Sequence, residues 1–200
     1  MPKVSNEHQE ARRAQIIEAA IQCFSKKGFH QTSMQDIVLE SGLSPGAIYL
    51  YFKGKEDIIR AIADKQHSKE RDLIAKACSS SDVKIALGQL VKSFFEPLSD
   101  SEVFESRRIG VQLWTEALSN PIVYEVVRSG IDEPLRELTK LISEFQEQGS
   151  IQAGLAPDAI ARVMVALYQG FILQLVWDEQ VNVGEYVTAA EAIISTFFQA

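Results

Sequence analysis

Apolar positions along the chain recur at helical spacing almost throughout. Ile16, Ile17, Ala20, Ile21 and Phe24 share one face of a first helix. Gly28 stops it, and Phe29 is placed to pack back on its last turn. Thr32 and Gln35 have capping-box spacing and open a short helix with Met34, Ile37 and Val38 inside, ended by Gly42. Ser44 then caps a second short helix with Pro45 at its first position and Ile48 and Phe52 on its inner face. Gly54 closes that helix, and Lys55-Glu56-Asp57 begins a long one reaching about Ala77. After the loop Cys78 to Asp82, the pattern predicts helices over Val83–Phe95, Glu102–Leu118, Pro121–Gln148, Pro157–Asp178 and Gly184–Phe198. No segment reads as a strand. The expected fold class is therefore all-α, with about nine helices.

Composition narrows the class. Of 200 residues, 46% are hydrophobic and 24% charged, which fits a globular protein with a sizeable core. The first ten residues are polar, unlike a secretory leader. Two cysteines without a CxxC, Cys23 and Cys78, make no disulfide framework and suit a reducing cytoplasm. His8, His30 and His67 are scattered and suggest no metal site. The stretch 160–177 is apolar enough to raise the question of a membrane. Arg162, Gln169 and Gln174 within it favour instead a helix buried in protein, in a core continuing into a partner subunit.

The net charge of −7 is unevenly spread. Residues 1–60 carry eight basic and seven acidic side chains, so the acidity lies in the remainder. A mildly basic head on an acidic body is compatible with nucleic acid at the head.

Two short helices joined by the tight turn Ser41-Gly42-Leu43-Ser44 form the helix-turn-helix pattern. A helix that enters a major groove must be slim where it meets the bases, and Pro45-Gly46-Ala47 is slim. With Ile48 and Phe52 turned inward, Gly46, Ala47, Tyr49 and Tyr51 are left for the outside. The string Gly42-Leu43-Ser44-Pro45-Gly46 also matches GxSxG. A nucleophile elbow needs a buried strand before it, however, and a helix precedes it here. No other catalytic or phosphate-binding motif is visible, so the chain reads as no enzyme and as needing no cofactor.

Phe24, Gly28, Phe29, Thr32-Ser33-Met34, Ile37, Gly42 and the run Leu43 to Glu56 resemble the tetracycline-repressor (TetR) family. The resemblance is dense over about residues 16–62. It implies a DNA-binding head at 1–55 and a helical ligand-sensing and dimerisation body at 56–200. Thr32 and Ser33 would then contact phosphate. Ser44, Pro45, Gly46 and Ala47 would approach base edges. Tyr49 and Tyr51 would meet the backbone and a base, and Lys53 and Lys55 would neutralise phosphates. Arg12 and Arg13 are weaker candidates for flanking contacts.

The family habit further implies a homodimer on a double-stranded, pseudo-palindromic operator. It implies a repressor released by a small apolar or amphipathic effector. Phe94, Gln112 and Trp114 of the middle helices, with Tyr168 and Gln169 of the penultimate one, are the candidate ligand residues. Arg107 and Arg108 could grip an acidic ligand, although a solvated face is the plainer reading. Dimerisation is expected through the last two helices, where Ala161, Ala166 and Gly170 are small enough for close approach. The competing reading is a helical protein-interaction module whose head ignores DNA.

Overall fold

The computed structural model describes residues 6–178 and 180–198, with the side chains of Asn6, Gln66, Cys78 and Glu102 outside the description. The N-terminal five residues of the polar opening segment and the Cys78 thiol thus lie outside it, whereas Cys23 is a buried free thiol. Nine α-helices follow one another among the described residues. They are α1 (Asn6–Lys27), α2 (Met34–Ser41), α3 (Pro45–Tyr49), α4 (Lys55–Cys78), α5 (Val83–Phe95), α6 (Ser101–Glu116), α7 (Pro121–Glu147), α8 (Pro157–Trp177) and α9 (Val183–Ser195). A 3-10 turn over Glu96–Ser99, with Pro97 inside it, continues α5. The described residues pair as strands only at one isolated bridge, Ile151 with Phe198.

Chain ends of the helices have local causes. Gly28, Gly42 and Gly149 hold positive φ. After α7 the Ser150 amide reaches the Phe145 carbonyl at 2.8 Å and the Gly149 amide reaches Gln146 at 3.0 Å, a left-handed stop that glycine adopts without strain. Asp82 and Asn182 cap α5 and α9 with their side chains.

One expectation shifts by a residue. The cap of α2 is Ser33, whose hydroxyl accepts from the Asp36 amide while Asp36 accepts from the Ser33 amide. Thr32, expected to cap, is instead buried. Its hydroxyl lies within hydrogen-bonding distance of the Gly28 carbonyl at 2.7 Å and the Cys23 carbonyl at 3.2 Å. A carboxylate three positions on from Ser33 outcompetes the Gln35 amide for the same role.

The described residues divide into two compact units. The first holds residues up to Gln66 together with Arg108–Val127, and the second holds His67–Arg107 and the chain from Arg128 onward. The head's unit therefore reaches past residue 55. Its core joins Ile16, Ala20, Phe24, Phe29, Ile37, Ile48, Phe52, Ile58 and Ile59 to Ile109, Leu113, Val123 and Val126. Three helices, α4, α6 and α7, contribute residues to both units.

The second unit has its own core from α5, α7, α8 and α9, including Leu87, Phe95, Ile142, Phe145, Phe171 and Ile194. Phe95, Phe171 and Tyr186 stack within it, with ring centroids 3.9 Å apart for Phe171 and Tyr186. On α8 the buried residues are Ile160, Ala161, Met164, Phe171, Ile172 and Leu175. Ala161 thus belongs to the interior rather than to an outer stripe. Ala166 lies five positions on, well over one turn, so the two cannot share a face.

Candidate nucleic-acid interface

The α2–α3 turn is fixed by polar contacts that pattern reading does not reveal. Gln15 of α1 donates to the Ser41 carbonyl at 2.8 Å, and the Ser41 hydroxyl bridges the Val38 carbonyl and the Leu43 amide. Gly42, at φ 66°, makes the reversal. Ser44 then caps α3, its hydroxyl accepting from the Ala47 amide at 3.3 Å. Because a helix lies on either side of it, the GxSxG string has no strand to present Ser44 as a nucleophile.

Ile48 is fully buried and Phe52 nearly so, and the Arg13 guanidinium sits 5.3 Å from the Phe52 ring centroid. These two anchors leave Ser44, Pro45 and Gly46 exposed and Ala47 half-buried. Tyr49 is 54% exposed, Tyr51 is half-buried, and Lys53 is exposed. Leu50, at 84% exposure, is an apolar side chain on the same short segment that the spacing did not single out.

The cations divide between solvent and structure. Lys27 pairs with Asp36 at 2.5 Å and Lys26 with Glu40 at 3.3 Å, tying α1 to α2. The Lys27 ammonium and the Ser33 amide and hydroxyl hold the Asp36 carboxyl well below the usual carboxylate range. Lys55 donates to the carbonyls of Phe29 at 2.9 Å and His30 at 3.2 Å, and stands 4.7 Å from the Phe29 ring centroid. Two of its three donors are thus held by the α1–α2 loop, with one left over. Thr32 has its hydroxyl turned inward, so of the Thr32-Ser33 pair only Ser33 offers an exposed side chain.

The five candidate ligand residues fall in different units. Gln112 and Trp114 lie in the part of α6 that belongs with the head. There the Gln112 carboxamide oxygen accepts from the Phe29 amide at 3.3 Å. Phe94, Tyr168 and Gln169 lie in the second unit, where Phe94 meets the Tyr168 ring edge-on at 5.6 Å. Arg107 is no solvated side chain: it donates to Glu70 at 2.6 Å, and Glu70 is only 7% exposed. Its partner Glu70 does not stand out in a linear pattern, since it lies 37 positions away. A cleft of about 120 Å³ lies between α5 and α9, lined by residues such as Lys84, Gly88, Val91 and Glu191, none of them among the five.

Comparison with known proteins bears on both ends of the chain. The family profile described as "Bacterial regulatory proteins, tetR family" matches residues 16–62. The profile "BetI-type transcriptional repressor, C-terminal" matches residues 87–199, more than half of the chain. Among curated relatives, the Bacillus subtilis protein named uncharacterized HTH-type transcriptional regulator YfiR is 27% identical over 202 residues, covering 100% of this chain and 98% of the relative. Among solved structures, Salmonella enterica GusR superposes with a TM-score of 0.82 at 24% identity, covering 99% of this chain and 100% of that one. A SmeT–triclosan complex superposes with a TM-score of 0.81 at 20% identity, covering 95% and 92%. The two structural likenesses speak to the fold.

Proposed function

The chain belongs to the tetR family of bacterial regulatory proteins, and on that premise we propose that it represses transcription from a pseudo-palindromic operator until a small molecule releases it. Membership makes it a ligand-responsive DNA-binding transcriptional regulator and not an enzyme. The finer reading concerns which residues do the work. One observation carries it. A five-residue helix is held by buried Ile48 and Phe52, with Ser44, Pro45, Gly46 and Tyr49 turned to the outside.

In this reading Ala47, Gly46 and Pro45 approach base edges, where small side chains let the backbone come close. Tyr49, Tyr51, Ser33 and Lys53 meet sugar and phosphate and set the register. Lys55 adds its remaining donor. Few long polar side chains read bases, so each half-site discriminates modestly, and symmetry multiplies the effect.

The second copy docks through α8 and α9. Ala159, Val163 and Ala166 are exposed on α8, half-buried Gly170 continues their stripe, and Ala189, Ala192 and Ile193 are exposed on α9. By length and composition alone α8 could cross a membrane, yet 33% of its most apolar stretch is already buried within the protomer. A partner's helices covering the rest form a four-helix interface.

Effector release follows from differential affinity. Two heads must enter successive major grooves about one DNA turn apart. A small apolar or amphipathic ligand that prefers another head spacing lowers operator affinity. Phe94, Tyr168 and Gln169, all in the second unit, are its contacts. The triclosan bound by the structural neighbour SmeT is a molecule of that general kind.

The test is selection of bound duplexes from random DNA by the full-length protein, followed by anisotropy titration across salt. A palindromic consensus with steeply salt-dependent affinity is expected. Failure to retain any duplex at low ionic strength would leave the protein-interaction reading in its place.

A further inference from the structure

The body's interior concentrates polar groups at one place, where four helices converge. Tyr168 of α8 has a buried hydroxyl with no hydrogen-bond partner among the described residues. Its ring is contacted edge-on by Phe94 and Phe95 of α5, at 5.6 and 5.4 Å. The Arg107 guanidinium of α6 lies 5.6 Å from the same ring centroid. Arg107 in turn holds Glu70 of α4 at 2.6 Å, and Glu70 is the sole charged residue among the described buried polar side chains. The other two, Thr32 and Ser41, have their hydroxyls engaged by backbone groups.

Neither feature favours folding. A buried hydroxyl without a partner loses its hydration and gains nothing, and phenylalanine would fill the same shape without that loss. A sequestered ion pair is weak evidence for stability, since desolvation offsets its attraction. Both features are accounted for together if a further molecule completes the hydrogen bonding. Burial also pushes the Tyr168 phenol up, so it stays protonated and keeps a hydrogen to donate.

We infer that Tyr168, with the Glu70–Arg107 pair and Phe94, is the polar pole of the effector site, and that the effector is an uncharged aromatic molecule bearing a hydrogen-bond acceptor. This rests on the ligand-responsive reading above and names the ligand class for it. The acceptor takes the Tyr168 proton, and the aromatic frame packs against Phe94. Charge is excluded by the pair itself. Glu70 already neutralises Arg107, so a carboxylate would add an uncompensated negative charge beside Glu70, and an ammonium would face Arg107. An acidic ligand gripped by Arg107 is thereby disfavoured.

The experiment titrates the full-length protein, without DNA, by isothermal calorimetry with three probes: 2-acetylnaphthalene, naphthalene and naphthalene-2-carboxylate. 2-Acetylnaphthalene should bind at least tenfold more tightly than either of the others. Tyr168→Phe should abolish that tenfold preference over naphthalene. The unliganded Tyr168→Phe protein should melt no lower than the parent, because an orphaned hydroxyl has been removed. Preference for the carboxylate, absence of binding by all three, or an unchanged preference in Tyr168→Phe overturns the inference. A melting temperature that drops in Tyr168→Phe also overturns it, for it would mean that the protein itself satisfies the hydroxyl. Operator affinity is then measured with and without 2-acetylnaphthalene. Binding that leaves operator affinity unaltered counts against the release mechanism and leaves the ligand assignment standing.

Discussion

Lys55 shows how a side chain can have two duties. Its ammonium clamps the Phe29 and His30 carbonyls, so removing it loosens the α1–α2 loop as well as any phosphate contact. Lys55→Ala should therefore lower both the melting temperature and operator affinity. Tyr49→Ala, at an exposed position, should weaken operator binding about tenfold with an unchanged melting temperature. Parallel thermal melts and anisotropy titrations separate the two. If Tyr49→Ala binds as tightly as the parent, the outward face of α3 is not the reading face.

Asp36 gives a pH signature. Its folded carboxyl titrates below the unfolded one, so its stabilisation is present above the ordinary carboxylate range and is lost as pH falls through the lowered folded value. The melting-temperature gap between the parent and Asp36→Asn should be widest near neutral pH and shrink below about pH 4. A gap of constant size between pH 7 and strongly acid solution would show that the carboxylate charge does not matter.

These side-chain commitments were the least legible part of the sequence. Ile48 and Phe52 could be assigned inward because periodicity records burial. Which acceptor a lysine or threonine finds depends on chain segments brought together only by folding. Lys55 meets residues about 25 positions away, and Thr32 turns back on the end of α1. The Ser33–Asp36 cap was readable in principle, from an acidic residue three places after a serine.

Element boundaries were mostly legible, because glycine, proline and capping residues mark them locally. Gly28, Gly42 and Gly149 all terminate helices, and Pro45, Pro121 and Pro157 begin them. Harder to foresee was the double membership of α6. Arg107 pairs within the second unit, and five residues on, Gln112 accepts from the Phe29 amide in the first. A linear pattern marks both simply as polar positions on one helix.

This makes Gln112 a clasp between α6 and the loop that opens the reading head. Gln112→Ala should speed amide exchange at Phe29 by about tenfold, the loss of roughly one hydrogen bond, with Ile48 unaffected. Hydrogen exchange resolved by residue reads this directly. Unchanged protection at Phe29 would mean that the contact is not held in solution.

At the scale of the molecule, the predicted body was right in its helices and wrong in one packing detail. Ala161 proved to be interior, so the candidate docking stripe runs through Ala159, Val163, Ala166 and Gly170. Ala166→Glu places a charge in that stripe without touching the protomer's core. Sedimentation should show a monomer, and affinity for a two-half-site operator should fall about a hundredfold as linked binding is lost. A stable Ala166→Glu dimer would move the interface elsewhere.

The composite nucleus of the reading head has a practical corollary for anyone recombining such regulators. A fragment severed after residue 66 would leave behind Ile109, Leu113, Val123 and Val126, four apolar side chains that Phe24, Ile37 and Ile58 need as company. Such a truncate should bind hydrophobic dye and melt without a sharp transition. A transplant that carries the α6–α7 corner, residues 108–127, along with the first 66 should keep its fold in a foreign host.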